Sequence, residues 1–137
     1  MTWEVSCVSL EDLLVDPHAI DRELLATVLK PFVFVEKGTG TIRFTPGWHR
    51  LPAAGKVLAY LLARKAVVAL GLAGKEGVVP KQIERDAGIK GGTLRPALKK
   101  LCGEGLADRD ADGYKVPNHA VELAKTMLER ASGELHA

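Results

Sequence analysis

The chain has 137 residues, 47% of them apolar and 26% charged, with a formal net charge of +2. That length suits one domain with a buried core, and this ordinary composition excludes disorder over most of the chain. A balance so near neutral excludes a wholesale polycation, so any nucleic-acid surface has to come from where the charge sits. Residues 1–50 hold five Lys/Arg against seven Asp/Glu, 51–74 three against none, 75–100 seven against three, and 101–137 four against seven. Positive charge is therefore expected on the middle of the chain.

Residues 3–8 alternate weakly and predict a short strand. Ser9 followed by Asp12 is close to a capping box. Asp16-Pro17 is a stronger start, a capping carboxylate before proline at the first helical position. Ile20, Leu24, Leu25, Val28 and Leu29 then form one apolar face, which Pro31 stops. Phe32 to Val35 and Thr41 to Thr45 are β-branched and aromatic about Lys37-Gly38-Thr39-Gly40, which predicts a hairpin. Pro46-Gly47 breaks the chain, and Trp48 is expected to pack under the helix that follows.

That helix, the longest, is expected from Pro52 to about Leu70. Val57 to Ala63 is apolar all round before Arg64-Lys65 intervene. A membrane span needs about 20 mostly apolar residues, so the interrupted run predicts a central helix buried on more than one side. One side is expected to meet the segment downstream, the other the N-terminal hairpin or a second subunit. The loop from Gly71 to Glu76 lacks the spacing and the Ser/Thr of a phosphate-binding P-loop.

Residues 77–116 carry the most specific pattern. Gly77-Val78-Val79 predicts a short strand. Pro80 opens a helix ending at Gly88, and Ile89 is placed to pack back on the turn. A second helix, starting near Gly92, has an inward stripe of Leu94, Ala97, Leu98 and Leu101, leaving Thr93, Arg95, Lys99 and Lys100 outside. Leu106 to Arg109 and Tyr114 to Val116 about Asp110-Ala111-Asp112-Gly113 predict a second hairpin. Beyond Pro117-Asn118, the stripe Val121, Ala124, Met127, Leu128 and Ala131 predicts a last helix ending at Gly133.

The segment from Ile89 to Leu101, followed by Gly105-Leu106, resembles winged helix-turn-helix regulators of the MarR and GntR type. Their second helix commonly reads T-V-R-x-A-L-x-x-L before a short G-L turn into the wing. The likeness covers residues 52–116. It implies a winged helix-turn-helix over 51–117, and with the N-terminal helix and hairpin over 1–50 and the C-terminal helix over 118–137 read from the residue patterns, the expected fold is mainly α with small β-hairpins (α+β). The resemblance further implies a DNA-binding transcriptional regulator whose second helix enters the major groove, with Thr93, Arg95 and Lys99 as contacts and Lys90 and Lys100 beside them. Arg109 and Lys115 of the wing complete the expected set. The chain departs from the pattern at Gly91 and Gly92, which have no side chain to read a base, at Pro96, and in the acidic wing residues Asp108, Asp110 and Asp112.

Duplex DNA is thus the expected partner. A homodimer is expected from the apolar surface of the long, N-terminal and C-terminal helices. The alternative is a winged-helix module that docks on another protein. No enzyme activity, cofactor or membrane association is expected. The histidines His18, His49, His119 and His136 are scattered. Asp108-x-Asp110-x-Asp112-Gly113 opens like a calcium loop, but its twelfth position is His119 and strand-like sequence precedes it, so no metal is expected. Cys7 and Cys102 lack metal spacing, and the chain opens without a basic segment and apolar signal core, so reduced thiols and a cytoplasmic location are expected.

Overall fold

The computed structural model describes residues 9–14 and 21–136. The strand expected over residues 3–8, the helix start at Asp16-Pro17, and Cys7 and His18 lie outside the described residues. Within them the chain is mixed α+β, with six α-helices and two antiparallel two-stranded hairpins.

Helix α1 (Arg22–Leu29) starts at Asp21, whose carboxylate accepts the Leu24 N–H at 3.0 Å and so satisfies one of the free donors of the first turn. Its apolar face of Leu25, Val28 and Leu29 is buried. Strands β1 (Val33–Val35) and β2 (Ile42–Phe44) form the expected hairpin, with Val33 opposite Phe44 and Val35 opposite Ile42. Where Pro46-Gly47 is expected to break the chain, the structure instead has a single helical turn, α2 (Pro46–His49). Proline at a first helical position sacrifices no bond, and Gly47 lets the turn press on the chain before it, since a Cβ there would lie 2.8 Å from the Pro31 carbonyl oxygen. This turn seats Trp48 beneath the long helix, as expected. The indole is 2% exposed, lies 3.9 Å between ring centroids from Phe44, and donates to the Lys56 carbonyl at 3.0 Å.

Helix α3 (Ala53–Ala69) is the centre of the core, and its residues 57–63 are fully buried. The chain itself covers it: α1, α2 and β1 pack on it, as do the later elements α4 (Pro80–Ala87), α5 (Gly91–Gly103), β4 (Gly113–Lys115) and α6 (Val121–His136). This cover bears on the ground for the expectation of a homodimer. The stripes it rested on are spent internally, because α1 and α6 pack on α3 and on each other, burying Leu25, Val28, Leu29, Val121, Ala124, Leu128 and Ala131. Large apolar residues left outside include Leu10, Leu13 and Leu14 around an N-terminal 3-10 turn. No helix among the described residues is long and apolar enough to cross a membrane.

Tyr60 ties α3 to α4. Its ring is buried, and its hydroxyl donates to Asp86 Oδ2 at 2.6 Å. Burial, and then the bond to Asp86, push the phenol well above its usual range. A raised folded value gives stability that is complete below the unfolded pKa of about 10 and is lost as pH rises past it. Tyr60→Phe is therefore expected to cost about 1.5 kcal/mol at neutral pH, the low end for a bond to a charged group, since Asp86 also meets solvent. In urea titrations the gap between parent and variant should stay level to about pH 10 and then narrow by up to ~1.4 kcal/mol per pH unit. A gap that widened with pH would contradict the assignment.

Helix α4 ends as expected: Gly88 takes φ 70°, its N–H donates to the Glu84 carbonyl at 2.9 Å, and Ile89 is buried behind the turn. After α5, β3 (Asp108–Asp110) pairs with β4, and Val78 bridges to Tyr114 through two backbone bonds of 3.0 and 2.8 Å. Gly113 makes this approach feasible, because at φ 122° a Cβ would lie 2.3 Å from the Val78 carbonyl oxygen. A 3-10 turn (Asn118–Ala120) leads into α6, which continues through Gly133 to His136 where an end is expected. One interior glycine costs only about 1 kcal/mol, too little by itself to end a helix anchored through Leu128 and Ala131.

Candidate functional site

Helix α5 builds the site. Its inward residues Leu94, Ala97, Leu98 and Leu101 are buried, as the spacing predicts. With about 100° between successive residues, the line opposite that stripe runs through Gly92, Pro96, Lys99 and Gly103. Arg95 falls to one side of the line, Thr93 and Lys100 to the other, and all seven residues are exposed. Lys90, at the N-cap position, is exposed as well, and no side chain caps that end of the helix. The free N–H groups of the first turn and the aligned backbone dipoles add positive character there.

Among the described residues Lys90, Arg95, Lys99 and Lys100 form no ion pair. Two further cations, missed in the sequence reading, stand on the solvent side of α4: Lys81, also without an ion pair among the described residues, and Arg85, which meets the adjacent Asp86 at 3.3 Å. Their spacing of four residues on a helix whose inner side is Ile83 was the available signal. The two glycines differ. Gly91 is half-buried, and a Cβ there would come 2.9 Å from Glu84 Oε1, whereas one at Gly92 would meet nothing within 4 Å.

The hairpin residues of the expected site are engaged with their own neighbours. Lys115 Nζ lies 3.2 Å from Asp110 Oδ2, and this bond raises the lysine above its usual range. The Asp110 carboxyl is held below its usual range, first by the Asp112 backbone N–H and then by Lys115. Lys75 approaches Asp112 at 3.6 Å, and the Arg109 guanidinium sits 5.7 Å from the Tyr114 ring centroid. The hairpin thus neutralises most of its own charge. Near the far end of α5, Cys102 is half-buried and its thiol is raised mainly by burial, with Asp108 adding to the effect.

The positive charge counted on the long helix is only partly exposed. Lys65 is buried in an ion pair, Arg64 donates to the Lys75 carbonyl, and Lys56 lies 5.4 Å from the Trp48 ring centroid. The concentration of unpaired cations is on α5 and the start of α4. No protein-family model, characterised protein or solved structure gives a significant match to this chain.

Proposed function

We propose that α4, the turn at Gly88, α5 and the hairpin β3–β4 form a winged helix-turn-helix, and that the protein binds duplex DNA with α5 in the major groove as a regulator of transcription. The observation that carries this is the set of exposed cations without acidic partners, Lys90, Arg95, Lys99 and Lys100, on a helix whose opposite face is fixed in the core. The N-terminal part of α5 is favoured, because its uncapped N–H groups and Lys90 attract phosphate even with the Glu84 carboxylate beside Gly91 offsetting part of that field, while Glu104 and Asp108 oppose phosphate at the other end. The hairpin contributes little to affinity, since Lys115 is already matched by Asp110.

Fluorescence anisotropy with a labelled mixed-sequence duplex at about 50 mM salt tests this. Binding is expected at micromolar protein or below, weakening with salt at a log–log slope of roughly −4, about −0.9 for each phosphate met by the four cations. No binding under those conditions would overturn the reading and leave a protein-docking module as its replacement.

A further inference from the structure

We infer that α5 recognises the form and phosphates of B-form duplex DNA rather than its base sequence. This inference rests on the DNA-binding reading above. A helix with its side chains is about 10–12 Å across, and the major groove is about 12 Å wide. The outermost line of a helix seated there faces the base edges, and its flanks face the two phosphate walls. On α5 the outermost line is Gly92, Pro96, Lys99 and Gly103. Three of these four have no side-chain donor or acceptor, and neither Gly92 nor Gly103 has any atom within 4 Å of where a Cβ would stand.

The base edges would therefore meet a smooth ridge with Lys99 as its one polar group. An ammonium on a flexible stem is a point charge that serves phosphate as well as guanine, so Lys99 discriminates weakly. Arg95, the residue type best suited to the guanine edge, lies roughly 70° off the ridge, and Lys100 lies roughly 70° off on the opposite side. That symmetry directs one cation to each strand. A ridge without bulk also lets the α5 backbone sit deep in the groove, which brings Lys90 and the free N–H groups of the first turn within reach of phosphate.

The test measures the parent and Gly92→Gln against a panel of unrelated duplexes, including alternating A·T and alternating G·C, with selection from a randomised library in parallel. The parent should bind every duplex within about fivefold and with one salt slope, far below the 10³-fold or greater preference typical of a sequence reader. Gly92→Gln places an amide that can grip adenine on the open ridge, so it should spread the panel by about tenfold or more while leaving the salt slope unchanged. Enrichment of one motif by the parent, or a spread beyond about a hundredfold, would overturn the inference while leaving DNA binding intact. A Gly92→Gln protein with the parent's uniform affinities would also overturn it, because the ridge would not face the bases. Absence of binding to every duplex would instead fell the underlying reading.

Discussion

Replacing Lys90, Arg95, Lys99 and Lys100 together by alanine is expected to weaken binding to duplex DNA by about 10³- to 10⁴-fold at ~0.1 M salt. At that concentration each lost phosphate contact removes nearly one decade of counterion-release affinity. The salt slope should flatten by about 3.6 at the same time, and this second readout separates lost phosphate contacts from a misfolded protein. All four side chains are exposed and unpaired among the described residues, so each substitution should move stability by no more than about 0.5 kcal/mol. Lys115→Ala supplies the contrast. Its charge is already held by Asp110, so its removal should lower affinity by less than about threefold and barely change the slope. If the quadruple variant keeps the parent's slope, α5 is not the contact surface.

Much of the architecture was legible because it follows from local rules. Pro80 and Gly88 bracket α4 by ring geometry and a left-handed cap, and the stripe from Leu94 to Leu101 fixes which side of α5 is inside. The β1–β2 hairpin follows from β-branched runs around a glycine turn. What was not legible depends on contacts between distant residues. The register that sets Asp110 opposite Gly113 and brings Lys115 onto its carboxylate cannot be read from composition, so Lys115 looked as available as Lys99. Glu84 and Gly91 are close only because the turn at Gly88 folds α4 back on α5. The smooth ridge was half visible: Gly92 and Pro96 stood out as departures, but their alignment with Gly103 required the helix to be placed on its core. Apolar stripes likewise cannot say whether they will meet their own chain or another copy, which is why the expectation of a dimer rested on surfaces that α3 covers.

Lys65 is the clearest case of a residue whose sequence reading was reversed, and its substitution is expected to have the largest effect on stability. Read in sequence, it is one of two cations interrupting an apolar helix. In the fold it is 1% exposed, with Nζ 3.0 Å from Glu76 Oε2 and a hydrogen bond to Asn118 Oδ1. Glu76 lies two residues before Val78, which bridges to Tyr114 where the sequence predicts a short strand over 77–79, and Asn118 follows the hairpin. The ammonium therefore fastens both ends of the hairpin unit to α3. Lys65→Ala leaves the Glu76 carboxylate in a mostly buried place without its counter-charge and is expected to cost about 3 kcal/mol, the low end for a broken buried pair because Glu76 retains some contact with water. Lys65→Met alone should cost nearly as much. Adding Glu76→Leu should then recover about 1–2 kcal/mol, because an apolar pair needs no desolvation of charge. Hydrogen exchange locates the damage: in Lys65→Ala the Val78 and Tyr114 amides, bonded to each other across the bridge, should lose protection before those of residues 57–63 in α3. A cost below about 1 kcal/mol, with protection unchanged at Val78 and Tyr114, would mean that the ammonium is not the fastening.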